Sequence, residues 1–333
     1  MTIAIDASER PSASATPSAG AFGHRLAPAG DPLEGAPFDA LYQAKIEPEL
    51  VKREAERKGA MKTFVLAIAA GVVLVVLENL LTPSLTGAPG AMVDFRLALV
   101  TLAIAAGLGY LPLAAVAKNA KVGVICALCE PLGIRYSLSG SDGPSFQNFL
   151  GFHLLPSSSD KSFSDFFTGR RGETDFTICE AVLHRGSGKN RQLVFQGQLF
   201  RLTAPRRLDS TTVVLRNTGG WFKSFECPNG LRPVGLEDPA FNKTFAVFAS
   251  DQVESREILT PAFMQQLEDL ETAYAAGHIR CAFNQAELLI ALEGPNKFEI
   301  GGMFSSLVDR SRVEGIAHNI EQVFKMIDEF SGA

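Results

Sequence analysis

Four short constellations in this chain have residue types and spacings that could do chemistry. Cys126-Ala-Leu-Cys129 has the spacing of a redox dithiol or of half a zinc site. Zinc needs four ligands, and the sequence offers neither a second such pair nor histidines at matching spacing. The two cysteines also close a β-like run at residues 122–128, so residues three apart would face opposite sides of a strand. Buried, inert thiols are the expectation. Glu180 and His184, four apart, would share one strand face as an acid/base or metal pair, but no third member lies within sequence reach. Arg185-Gly-Ser-Gly-Lys189 has glycines and a lysine but lacks the phosphate-loop spacing and a following helix, so it reads as a hairpin turn.

The fourth constellation, Asp251, Glu254 and Arg256, is the ligand-binding candidate. It lies between an expected strand at 244–249 and a helix opened by Thr260-Pro261, and loops at strand ends often hold ligands. The competing reading has Asp251 capping a turn while Glu254 and Arg256 pair with each other or with solvent. The sequence contains no G-x-S-x-G, H-E-x-x-H, Rossmann or Walker A pattern. No catalytic residue, metal ligand or cofactor is assigned from it.

The elements that must position these residues read as strands interspersed with helices. Residues 176–184 and 192–202 flank the Arg185–Lys189 turn, 211–216 is a β-branched run, and 278–283 pairs with 287–292 around Asn284-Gln285. Residues 162–167 read as a Phe-rich helical turn. The helix after Thr260-Pro261 runs to about residue 275, with Phe263, Leu267, Leu270 and Tyr274 on one face. Ser311 and Glu314 form a capping box for a last helix whose stripe is Val313, Ile316, Ile320, Val323, Phe324 and Ile327. The fold class expected is α+β, with a mostly antiparallel sheet and flanking helices.

Ahead of that domain stand two apolar runs, residues 61–81 and 97–117. The second has no charged residue and matches the roughly 20 residues that a bilayer core requires. Lys52, Arg53, Arg57, Lys58 and Lys62 precede the first run and Lys118 and Lys121 follow the second, whereas the loop between has Arg96 alone. Positive residues stay on the cytoplasmic side, so both termini are expected there. The basic residues could also meet anionic lipid head groups. Ala67 and Gly71 in the first run, and Ala103, Ala105, Gly107 and Gly109 in the second, recur at four-residue spacing that lets helices approach closely, within one hairpin or between copies. Glu78 reads as an interfacial residue. The organisation expected is a disordered Ala/Ser/Pro/Gly-rich tail at 1–36, a basic juxtamembrane helix at 37–60, a transmembrane hairpin at 61–117 and a cytosolic α+β domain at 118–333.

The chain has 333 residues, 46% of them hydrophobic, with a net charge of −5. That balance carries no basic stripe and argues against a nucleic-acid partner. Five cysteines, an odd number and scattered, do not form a disulfide framework and suit a reducing cytosol. The start of the chain lacks the basic and apolar segments of a secretory signal.

Residues 243–263 (KTFAVFASDQVESREILTPAF) and 166–183 (FFTGRRGETDFTICEAVL) resemble a bacterial family known as domain of unknown function 3137 (DUF3137). The resemblance extends from the basic helix through the last helix. The usual family wording has Ala and Tyr where this chain has Ser255 and Glu257. The resemblance implies a membrane-associated protein and supplies no catalytic residues. Residues and resemblance together lead to a multi-pass protein of the bacterial inner membrane whose domain binds a protein partner, or its own copies, or scaffolds an assembly. The alternative is a membrane-anchored enzyme with a site near Asp251, Glu254 and Arg256.

Overall fold

The computed structural model of the protein describes residues 35–86, 95–140, 143, 145–203, 207–217, 228, 230–273, 278–299 and 305–332. The expected tail (through residue 34), the tip of the hairpin and Tyr274 lie outside the described residues.

Helix α1 (Gly35–Leu41) passes through a π-helical turn (Tyr42–Ile46) into α2 (Glu47–Thr86). In that turn the Glu47 N–H bonds the Tyr42 carbonyl, five residues back. The wide turn sits immediately before Pro48, which has no N–H to donate, and so the rod continues through the proline without a break. The expected basic helix and the first apolar run are therefore one helix. Helix α3 (Phe95–Cys129) returns antiparallel to it. A Cβ on Gly71 would lie 2.7 Å from the Ala105 Cβ, and one on Gly109 would lie 3.0 Å from both the Ala67 Cβ and the Phe64 backbone. The stripe Ala67/Gly71 against Ala105/Gly109 is thus the seam of the hairpin. Gly107 has nothing within 4 Å of its Cβ position and belongs to the outer face. Both helices are long and apolar enough to cross a membrane, and only 6% and 11% of their most apolar windows are buried. A core helix of a soluble protein would be mostly buried.

One expectation fails where α3 ends. Residues 122–128 are helix, not strand. Ala120, Val124, Ile125 and Leu128 are fully buried along one side, at the helical spacing of a packed face. Burial of that face outweighs the strand preference of Val and Ile. After Gly133, which has φ +68°, the chain enters the sheet.

Among the described residues the sheet has nine strands, all pairs antiparallel, in the order β1-β2-β3-β4-β9-β8-β5-β7-β6. They are β1 (Arg135–Ser137), β2 (Asp160–Arg171), β3 (Thr174–Arg185), β4 (Gln192–Thr203), β5 (Thr211–Arg216), β6 (Arg232–Val234), β7 (Phe245–Ala249), β8 (Ile279–Asn284) and β9 (Glu287–Glu293). The hairpins β3–β4 and β8–β9 and the strands β5 and β7 stand where the sequence places them. Residues 162–167, expected as a helical turn, are part of β2. A bulge there sets Asp165 and Phe166 opposite the single residue Cys179, and it sends Phe166 to one face of the sheet and Phe167 to the other.

Alternation along the strands builds two cores. Phe176, Ile178, Phe200 and Leu202 face the foot of α3, α7 (Pro261–Ala273) and α8 (Arg310–Gly332). Cys179, Ala181, Leu183 and Leu199 face the other way, toward the short α4 (Phe146–Gly151). Helices α5 (Pro239–Thr244) and α6 (Gln252–Ile258) flank β7. The start of α8 corrects a detail: its first turn is capped by Asp309, whose carboxylate accepts the Ser311 N–H at 3.1 Å, while Glu314 pairs with Arg310. The expected box at Ser311 and Glu314 is displaced by two residues.

Candidate functional site

The Asp251–Glu254–Arg256 trio lies on and just before α6. Asp251 is the N-cap, its carboxylate accepting the N–H groups of Val253 (2.7 Å) and Glu254 (3.1 Å). Glu254 accepts the backbone N–H groups of Asp209 and Ser210 at 3.2 and 2.7 Å and ties the entry of β5 to α6. Arg256 donates to the Gly235 carbonyl at 3.4 Å. All three side chains hold backbone groups, and they reach toward three different segments.

The other constellations separate in space. Cys126 and Cys129 lie in the last turn of α3, Cys126 exposed and Cys129 buried. A helix C-terminus raises rather than lowers a thiol's pKa, and burial pushes the Cys129 thiol up to about 12. Of the two thiols expected to be buried on a strand, Cys129 is buried and Cys126 is exposed, and both lie on a helix. Arg185–Lys189 connects β3 to β4. His184, at the end of β3, lies 3.2 Å from the Arg191 guanidinium through Nδ1, whereas Glu180 is buried in a different environment. Among the described residues no group of three or more His, Cys, Asp or Glu could hold a metal ion.

That environment is the site the sequence does not reveal. At the joint between α3 and the sheet, the Lys121 ammonium donates to Asp165 Oδ2 and to Glu299 Oε1, each at 2.8 Å. The Tyr136 hydroxyl donates to Asp165 Oδ1 at 2.5 Å. Glu180 Oε1 accepts the Lys297 N–H at 3.0 Å and the Gln198 amide at 3.4 Å, and the same amide donates to the Pro295 carbonyl at 3.2 Å. Asp165 reaches this place because it occupies the β2 bulge with φ +52°, a left-handed conformation that Asp tolerates better than most residues. Glu180 and Gln198 are register partners on β3 and β4, on the face that carries Ile178 and Phe200.

Burial sets the electrostatics. It pushes the Glu180 carboxyl up to about 8, with the neighbouring Asp165 acting in the same direction. Burial alone would lower Lys121, but its hydrogen bonds to Asp165 and Glu299 outweigh this and raise it. Burial and the bond to Asp165 also raise Tyr136. Beside the cluster a cavity of about 10 Å³ is lined only by apolar side chains, including Phe167, Phe298 and Phe324, and is at the lower limit for one water. The arrangement can hold charge and protons at a helix–sheet joint.

A second clamp holds α2. Glu54 accepts from Arg57 (2.9 and 2.7 Å) and from the Leu307 backbone N–H (3.0 Å). The Arg57 guanidinium holds the Glu54 carboxyl down at about 2. Arg310 of α8 bonds Asp39 of α1, and Lys45 bonds Glu130. Both helices of the hairpin are thus pinned to the sheet domain near its base.

Comparison with known proteins adds the following. Residues 193–331 match the family described as protein of unknown function (DUF3137). The DUF3137 match covers β4 through α8 and includes 243–263, whereas 166–183 lies outside it. No curated protein matches the chain. The crystal structure of the mycobacterial trehalose monomycolate transport factor A, TtfA, is similar at 11% identity over 61% of this chain and 91% of that chain. Its TM-score is 0.31, and the likeness carries no argument here.

Proposed function

We propose that this protein is a membrane-anchored binding or scaffolding protein. In this reading residues 61–81 and 97–117 cross the bacterial inner membrane as a hairpin, both termini are cytoplasmic, and residues 118–333 form the domain that meets a protein partner or further copies of the chain. The observation that carries it is the contrast along α3. Leu99, Ile104, Leu108 and Leu111 are exposed, while Ala120, Val124, Ile125 and Leu128 of the same helix are fully buried. An apolar surface of that extent needs lipid or protein around it. The clamps on α2 and α3 support a domain held close to the bilayer rather than hung on a loose tether. The rival reading, an enzyme working through Asp251, Glu254 and Arg256, requires those side chains to leave a helix cap and two loop contacts.

Fractionation tests the anchor. The full chain is expected to stay in the membrane pellet after alkaline carbonate washing and to leave it in detergent, and reporters fused to either end are expected to be active only in the cytoplasm. Recovery in the soluble fraction, or a periplasmic reporter, would overturn the reading.

A further inference from the structure

At the foot of α3 the protein buries more carboxyl than cation. Asp165 is 1% exposed and Glu180 4%, and they are neighbours in the sheet: Glu180 is paired with Ser164, Asp165 follows Ser164 in the bulge, and the Asp165 carboxylate is turned to the side where α3 brings Lys121. The ammonium beside them, Lys121, bonds Asp165 and Glu299 and not Glu180. The groups that face Glu180 come from every neighbouring element. Asp165 comes from β2, Tyr136 from β1, Lys121 from α3, the Gln198 amide from β4, and the Lys297 N–H from the segment after β9. Cys179 adjoins it on β3, Cys126 of α3 acts on Tyr136, and Glu299 joins through Lys121. Asn319 of α8 contributes a neutral amide, which holds the Lys297 carbonyl.

Two carboxylates at neighbouring positions and out of water cannot both be ionised without a large electrostatic cost, and one proton held there removes it. The buried Gln198 Oε1, at 0% residue exposure and without a hydrogen-bond partner among the described residues, leaves the same place one donor short. From this geometry we infer that Asp165 and Glu180 form a binding site for one proton, and that release of the proton loosens α3 from the sheet. The proton is held on a Glu180 oxygen and shared toward Asp165. On release it leaves past Lys121 and the half-exposed Glu299 to solvent, and Glu180 becomes a carboxylate. The second negative charge then repels Asp165 at the strained bulge and competes for Lys121, the residue by which α3 is fastened. Burial places the Glu180 carboxyl at about 8, close enough to neutrality for modest changes in pH to move the proton. The site deepens the anchoring reading only in its consequence, since the proton site itself belongs to the joint whatever surrounds the hairpin.

Infrared difference titration of the full chain in detergent micelles tests the inference. The carbonyl band of a protonated carboxylic acid is expected to persist at neutral pH, to disappear with a midpoint near pH 8, and to be absent from E180Q. Hydrogen exchange of residues 118–129, corrected for the intrinsic pH dependence, is expected to rise several-fold across the same interval in the wild type and to stay flat in E180Q. D165N, which removes the second charge, is expected to move the band's midpoint downward, so a misfolded E180Q would not end the test. No acid band at neutral pH, or a band unchanged by E180Q, would overturn the proton site. A band that titrates without any change in exchange would overturn the loosening. A chain that keeps the titrating band yet fails to pellet with membranes would defeat the anchoring reading and leave the proton site standing.

Discussion

The apolar arm of the hairpin and its foot belong to the same two helices but are held together by different physics. In the arm, the seam is made of Ala67, Gly71, Ala105 and Gly109, which bring two backbones close, while large apolar side chains point outward. In the foot, the large apolar side chains point inward onto the sheet, and polar bonds join the helices to the sheet domain: Lys121 pairs with Asp165, and Glu54, paired with Arg57 of its own helix, accepts the Leu307 N–H. Between Ala117 and Lys121 the helix changes its surroundings while its backbone stays regular. An arm packed by small residues has no hydrophobic effect to use if its solvent is lipid. A foot facing water on one side uses burial and charge.

Changes that strike one region and spare the other sharpen this comparison. The largest expected effect is Lys121→Met, which leaves Asp165 buried without its cation. Loss of one partner from a buried ion pair costs about 3–5 kcal/mol, to be read as a lowered denaturant midpoint of the domain with the arm's helicity unchanged. Gly71→Leu strikes the arm. Overpacking at the 2.7 Å approach to Ala105 costs about 1–3 kcal/mol, whereas Gly107→Leu, with open space at its Cβ, is expected to cost almost nothing. Cross-linking between cysteines placed on α2 and α3 would separate the two, and equal effects would break the seam assignment.

Glu54→Gln removes a charge-assisted clamp worth about 2 kcal/mol. Its carboxyl is held at about 2 against an ordinary 4.5. The contribution is therefore fully present above pH 4.5 and is lost as the pH falls through 2, so the variant should show a flatter acid limb. The effect expected at Glu180 has the opposite sign. Glu180 is raised to about 8 from 4.5, so the folded chain binds more protons than the unfolded one between these values. Stability should decline as pH rises from 4.5 to 8 and level off above, and Glu180→Gln should remove that slope.

Much of this was legible in the sequence, because hydrophobic periodicity reports burial directly. The uncharged run at 97–117, the alternation of 176–184 and 192–202, and the stripe Val313/Ile316/Ile320/Val323 each map onto α3, β3–β4 and α8. Residues 122–128 have the β-branched composition of a strand, but the buried face requires the 120/124/125/128 spacing of a helix. Residues 162–167 do not show a strand's period of two, because a bulge breaks it at the point where it aims Asp165 inward. The polar cluster was out of reach of local reasoning. Residues 121, 136, 165, 180, 198 and 299 share no motif, and only the strand order brings them together. The trio at 251–256 drew attention as a loop beside a buried strand, and there the competing reading of Asp251 as a cap matches the geometry.

The most direct measurement of the central contrast is a spin-label scan along α3 in lipid nanodiscs, comparing collisions with oxygen, which dissolves in lipid, and with a water-soluble nickel complex. The account predicts strong oxygen and weak nickel relaxation at the exposed positions 99, 104, 108 and 111, and weak relaxation by both at 120, 124 and 128. Strong nickel relaxation at 104 and 108 would contradict it.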